Sequence, residues 1–327
     1  MPAILSAQDE TWPILGTFRI ARGARMEITV VVATIRQGEF TGRGECVPYP
    51  RYGETVEGVI DDILSMAGKI ADGMTREELQ STMPPGAARN AVDCALWDLE
   101  AKSGGKGVFE LAGITSPHPL TTAYTLSLDS PEAMAKAARE ATDKPLLKLK
   151  LGGIGDFDRL EAIRAAVPEK RLIVDANEGW SGEQLKPYID ACIRARVELI
   201  EQPLPADRDN DLLKLAHTPV ICADESVHGL DTLDQLAGKY QAINIKLDKT
   251  VGLTEALKVA EKAREMGLEI MVGCMLATSL GMAPAMVVAQ YAQVVDLDGP
   301  LLLDKDREHA LHYQGSLMHL PAPALWG

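Results

Sequence analysis

From residue 120 onward, short apolar runs alternate with longer amphipathic stretches. The runs are TAYTLSL, LLKLK, LIVD, ELIE, VICAD, AINIK, EIMVG and QVVDLD. Their length and their valine and isoleucine content predict strands. Between them lie stretches such as PEAMAKAAREA, FDRLEAIRAAV, GEQLKPYIDACIRA and LTEALKVAEKAREMG, whose apolar residues recur at helical spacing. Alternating strand and helix implies a parallel sheet. Eight successive units favour a (β/α)8-like TIM barrel over an open sheet, so the fold class is α/β.

The first third reads as α+β. The stretch ARMEITVVVATIRQGEFTGRGECVPYP predicts two or three antiparallel strands around a turn near Gly38. One helix is expected from about Glu54 to Ile70. Another starts near Gly86, runs through ARNAVDCALWDLEAKSGG and stops at Gly104. The expected division is an α+β domain over residues 1–118, a barrel over 119–300 and a C-terminal segment over 301–327.

The barrel strands carry charge at their C-terminal ends. In LLKLK, alternation points Lys148 and Lys150 to one face and Leu147, Leu149 and Leu151 to the other. Asp175, Glu201, Asp224 and Lys246 follow Lys150 at separations of 25, 26, 23 and 22 residues, and Asp296 and Asp298 end the last strand. Polar residues often end strands because loops are solvated. Six positions in register, each acidic or lysine after an apolar run, point instead to a common rim, where barrels build active sites.

Asp175, Glu201 and Asp224 would repel one another if unpaired. An all-oxygen donor set suits a hard divalent cation such as Mg²⁺, and an ion-pair network with the lysines is the alternative. Two ammonium groups at ~7 Å and an effective dielectric near ~20 repel by about 2 kcal/mol. That repulsion is expected to depress one lysine pKa and make a base near neutral pH. Lys246, four strands on, is expected to face Lys150 across the barrel mouth.

Composition narrows the partners. The chain has 327 residues, 46 % hydrophobic and 24 % charged, enough for a sizeable core. A net charge of −14 argues against nucleic acid or an anionic membrane surface, although local lysines allow an anionic small substrate. Cys46, Cys94, Cys192, Cys222 and Cys274 are scattered without a CxxC pair, which fits a reducing cytoplasm. The start, MPAILSAQDETWP, shows no signal-peptide pattern. Residues 270–295 carry no formal charge and are long enough to span a bilayer, but Pro284 and several polar residues predict a buried strand plus a covered helix. GGIGDF at 152–157 reads as a flexible turn, His217 and His228 as loop residues, Cys274 as a small buried residue, and Met271, Met275, Met282 and Met286 as packing.

LIVDANE, IEQPLP, CADES, KLK and NIKLDKTVGL together resemble the enolase superfamily, muconate-lactonizing subgroup. ARGAR, GECVPYPRYGE, GAARNAVDCALWDL, GCML and DLDGP are similar to its dipeptide epimerases over essentially the whole chain. The resemblance implies a modified, enolase-type barrel, with residues 1–118 capping its mouth and 301–327 returning to the cap. It implies epimerisation of the second residue of a dipeptide, L-Ala-L-Glu to L-Ala-D-Glu, through a metal-stabilised enediolate, and a role in peptidoglycan recycling. Asp175, Glu201 and Asp224 would bind Mg²⁺, and Lys150 and Lys246 would be the acid/base pair. Lys148 would tune Lys150 and contact the substrate carboxylate. Asp296 and Asp298 would hold the α-ammonium, Thr125 would lie near the substrate carboxylate, and Arg22 would meet the glutamate side chain. The family usually has GGL where this chain has Val251-Gly252-Leu253.

The implied partner is a small dipeptide, with a homo-oligomer possible. Other subgroup reactions stay open: o-succinylbenzoate synthesis, N-acylamino acid racemisation and cycloisomerisation. Their substrates lack a free α-ammonium, so D-x-D favours the dipeptide. A non-catalytic binding barrel is the alternative from another class.

Overall fold

The computed structural model describes residues 1–215, 219–250 and 252–327; His217 and Val251 lie outside the described residues. A three-stranded antiparallel sheet opens the chain: β1 (Ile4–Ile20), β2 (Gly23–Gln37) and β3 (Phe40–Cys46). β1 and β2 form a long hairpin with its tip at residues 21–22, and their register is broken between Pro13 and Phe18. The expected turn at Gly38 joins β2 to β3.

The helix Ala87–Gly104 lies flat on this sheet. Such close approach requires glycine on the strand: a Cβ at Gly44 would sit 2.1 Å from the Ala91 carbonyl oxygen. The helix expected over 54–70 is divided into Val56–Ser65 and Ala67–Ala71, and a further helix spans Arg76–Thr82.

After β4 (Leu120–Thr121) comes an eight-stranded parallel sheet in sequential order. Its strands are β5 (Tyr124–Leu126), β6 (Leu146–Lys150), β7 (Arg171–Asp175), β8 (Val197–Glu201), β9 (Val220–Ala223), β10 (Ala242–Ile245), β11 (Glu269–Gly273) and β12 (Val294–Asp296). The two ends meet: the Ala123 N–H donates to the Val295 carbonyl at 2.7 Å, and the Leu297 N–H to the Thr122 hydroxyl at 2.8 Å. The result is a nearly closed barrel. The connections after β8 and β9 contain 3-10 turns, Ala206–Lys214 and Leu230–Leu236, in place of full α-helices. β13 (Tyr313–Gln314) and β14 (Leu317–Met318) pair with β4.

The barrel interior is built in layers. Ala123, Leu146, Ile173, Leu199, Cys222, Ala242, Met271 and Val294 form one buried apolar cluster, with one residue from or beside each strand. Strand side chains alternate, so the next inward position is two residues on. That layer reads Thr125, Lys148, Asp175, Glu201, Asp224, Asn244, Gly273 and Asp296. An apolar floor therefore carries a polar ring.

Residues 270–295 divide into β11, the buried helix Ser279–Val288, a short turn and β12, as the pattern predicted. Among the described residues no helix is long and apolar enough to cross a membrane. The C-terminal residues contact the helix Ala87–Gly104: Trp326 Nε1 donates to the Cys94 carbonyl at 3.0 Å and the Gly327 N–H to Asp98 at 2.7 Å.

Where this helix meets the barrel, buried Asp93 accepts from the Thr254 N–H and from Gln80, each at 2.9 Å. Burial outweighs these bonds and pushes its carboxyl up to about 6. The folded state then binds a proton that the unfolded state releases near pH 3.8, so stability falls as pH rises from about 4 to about 6. Asp93→Asn is expected to flatten thermal stability across that window. Parallel curves for the two proteins would refute this.

Candidate active site

The strand-end residues converge as the alternation requires. Lys148 is buried among three acids, with its Nζ 2.6 Å from Glu201 Oε2, 2.6 Å from Asp296 Oδ2 and 3.2 Å from Asp175 Oδ2. Lys150 donates to Asp175 Oδ2 at 2.6 Å. Lys246 donates to Asp224 Oδ2 at 2.5 Å and lies 3.4 Å from Glu201 Oε1. A fourth lysine, Lys249, donates to Asp224 Oδ1 at 2.7 Å. Four ammonium groups thus face four carboxylates, all buried.

In this arrangement each lysine lies closer to a carboxylate than the ~7 Å at which two ammonium groups were expected to repel. Burial disfavours the charged form of Lys148, but Asp296, Glu201 and Asp175 outweigh it and hold the ammonium well above its ordinary range. Lys246 is raised likewise against burial, by Asp224 and Glu201. Among the acids, burial and the Asp175 charge push Glu201 up to about 7. Asp224 is held well below its ordinary value, because Lys246 and Lys249 overcome its burial.

A cavity of about 290 Å³ opens above this ring, between the barrel mouth and the hairpin tip. Lys150, Asp224 and Lys246 line it from the barrel. The hairpin supplies Phe18 and Arg25, and the segment after β3 supplies Tyr49 and Tyr52. Cys274 is half-buried in its wall beside Met275, so this methionine faces the cavity, whereas Met271, Met282 and Met286 pack inside. Sequence reasoning missed Met275 and the two tyrosines, because no charge or spacing marks them.

Arg22 donates to Glu225 Oε1 at 2.8 Å, to Glu178 Oε2 at 3.3 Å and to the Asn177 carbonyl at 3.0 Å. It therefore ties the hairpin tip to two barrel loops. Arg25 stacks over the Tyr49 ring, 5.7 Å from its centroid. Asp298 accepts from the Thr125 N–H at 2.6 Å, and burial beside Asp296 pushes its carboxyl up to about 7. The turn at 152–157 is not loose: the Asp156 carboxylate accepts from the Gly152 and Gly153 N–H groups and from Trp180 Nε1 at 2.7–3.1 Å.

Among the described residues no three acidic, histidine or cysteine side chains form a ready ion cage, because lysines bridge the acids. The donor chemistry nevertheless fits a hard cation. Asp175, Glu201 and Asp224 are buried oxygens on adjacent strands, with ammonium groups as stand-in cations at 2.5–2.6 Å. Asn177 and Gln202 adopt left-handed backbone conformations, φ 44° and 35°, just past Asp175 and Glu201. Such strain collects at functional sites.

Residues 5–113 match the N-terminal domain of the mandelate racemase/muconate lactonizing enzymes, and residues 133–323 match the enolase C-terminal domain-like family. The L-Ala-D/L-Glu epimerase of Escherichia coli K12 is 45 % identical, across 95 % of this chain and 98 % of that one. The N-acetyl-D-glutamate racemase of a Pseudoalteromonas species is 44 % identical, across 91 % and 95 %. An enolase family member from Agrobacterium tumefaciens with homology to dipeptide epimerases, holding sodium and L-Ala-L-Glu, superposes with a TM-score of 0.98 at 55 % identity over all of both chains. The Enterococcus faecalis dipeptide epimerase, complexed with Mg and L-Leu-L-Tyr, superposes at 0.92 with 28 % identity, over 100 % of this chain and 99 % of that one. The chain therefore belongs to the mandelate racemase/muconate lactonizing enzyme family of enolase-like capped barrels, among its epimerases and racemases.

Proposed function

We propose that this protein is a Mg²⁺-dependent dipeptide epimerase that inverts the α-carbon of the second residue, with L-Ala-L-Glu and L-Ala-D-Glu as the preferred pair. The observation that carries this reading is that Lys150 and Lys246 line one cavity from strands four places apart in an eight-stranded barrel. The related structures that hold dipeptides with Mg or sodium support it.

Asp175, Glu201 and Asp224 would hold the cation. When bound, it offsets the charge that builds on the substrate carboxylate as the α-proton leaves, and its positive charge favours a neutral lysine nearby. One of Lys150 and Lys246, as the free amine, takes the α-proton, and the C–H electron pair moves toward the carboxylate. The opposite lysine, as the ammonium, donates a proton to the other face. The stereocentre is inverted and the two lysines exchange protonation states. Lys148 stays an ammonium and keeps positive charge beneath the reacting carbon. Asp296, whose Oδ1 has no hydrogen-bond partner among the described residues, and Asp298, held by Thr125, would receive the α-ammonium. Arg22, expected from the resemblance to meet the glutamate side chain, is engaged by Glu225 and Glu178, which leaves Arg25 on the cavity wall to meet an acidic side chain.

A second reading, racemisation of N-acylated glutamate, draws support from the Lys148–Asp296 ion pair, which already neutralises part of the D-x-D site. Incubation in D₂O with L-Ala-L-Glu, L-Ala-L-Gln and N-acetyl-L-glutamate, read by mass spectrometry, separates the two. Deuterium is expected to enter L-Ala-L-Glu fastest. Faster exchange into N-acetylglutamate would select the second reading.

A further inference from the structure

Each acid of the triad has one oxygen tied to a donor outside the lysine pair that lines the cavity. Asp175 Oδ1 accepts the Asn177 backbone N–H at 2.9 Å. Glu201 Oε1 accepts Asn244 Nδ2 at 2.7 Å. Asp224 Oδ1 accepts Lys249 Nζ at 2.7 Å. The remaining oxygens, Asp175 Oδ2, Glu201 Oε2 and Asp224 Oδ2, are those that the bridging ammonium groups approach most closely.

Lys249 is held by three acceptors, and Asn244 is confined against Gly273. Lys249 has three N–H groups and three acceptors: Asp224 Oδ1, the Asn244 carbonyl at 3.2 Å and the Asp224 carbonyl. Its side chain is 0 % exposed, so it has neither a spare donor nor room to turn. Asn244 occupies the inward position beside Gly273. A Cβ there would lie 2.7 Å from Asn244 Oδ1, so only glycine leaves space for the amide.

Carboxylates held in this way offer one oxygen each. Mg²⁺ needs a near-ideal octahedron and suits such donors, whereas Ca²⁺ gathers about six to eight oxygens and uses bidentate carboxylates readily. We propose that Asn244 and Lys249 are positioning residues that restrict Glu201 and Asp224 to one oxygen each and so select Mg²⁺ over Ca²⁺. This inference rests on the cation site of the proposed function.

Calorimetric titration of the metal-free full-length protein with MgCl₂ and with CaCl₂ tests it, on wild type, Lys249→Met and Asn244→Leu. Wild type is expected to prefer Mg²⁺. Each variant is expected to lose about 10–100-fold in Mg²⁺ affinity, the usual cost of removing a group that orients a metal ligand, while Ca²⁺ affinity holds. A merely structural role would weaken both ions together, and an unchanged Mg²⁺/Ca²⁺ ratio overturns the proposal. Should Lys249→Met fail to fold by circular dichroism, Asn244→Leu decides. Wild type binding Ca²⁺ as tightly as Mg²⁺ overturns it whatever the variants do. A protein that selects Mg²⁺ through these anchors yet exchanges no dipeptide keeps the inference and loses the catalytic reading. Wild type binding neither ion loses both.

Discussion

Lys246→Ala and Lys150→Ala are each expected to lower epimerisation by about ten-thousand-fold, the upper end of what a positioned acid or base contributes. Each lysine serves one face of the stereocentre, so neither can replace the other. The sharper reading is isotopic. In D₂O each variant should exchange the α-hydrogen of one stereoisomer and leave the other untouched, with opposite preferences for the two variants. The fold should survive in Lys246→Ala, because Lys249 remains on Asp224 and Lys148 on Glu201. Exchange from both stereoisomers in either variant would show that the proton does not travel between these two amines.

Asp224→Asn is expected to be the most damaging single change among the acids. This carboxylate is shared by Lys246 at 2.5 Å and Lys249 at 2.7 Å. Breaking a buried ion pair by removing one partner costs about 3–5 kcal/mol, because a buried charge is left uncompensated. The same change removes one oxygen donor from the proposed cation site. Urea denaturation should therefore show a lower midpoint, and MgCl₂, which should raise the wild-type midpoint by mass action, should no longer do so. A variant as stable as wild type and still responsive to MgCl₂ would remove Asp224 from both roles.

The barrel was legible because each strand is a short apolar run that ends in charge at a regular interval. Period two then places Lys148, Lys150, Asp175, Glu201, Asp224 and Lys246 inward without reference to a structure. The same rule reaches Asn244, two residues before Lys246, but a neutral amide in an apolar run does not announce a partner. Lys249 was out of reach, because the turn at Leu247–Thr250 folds it back under Asp224. β1 was missed because Pro13 and Gly16 interrupt its alternation and much of this edge strand is exposed. The helix Arg76–Thr82 buries only Leu79, too little to leave a period. The alternation places lysines and acids on one rim, and only the folded chain shows which pairs, such as Lys148 with Glu201 and Asp296, come within 2.6 Å.

The hairpin of β1 and β2 loses its pairing register between Pro13 and Phe18, short of the tip that carries Arg22. Past that break residues 18–25 pair only within their own short ladder, Phe18 with Arg25, Arg19 with Ala24 and Ile20 with Gly23. Beyond the break the tip is fastened to the barrel side instead, through Arg22 to Glu225, Glu178 and the Asn177 carbonyl and through the Arg19 carbonyl to the Leu128 N–H, so the wall of the chamber is stitched from both domains.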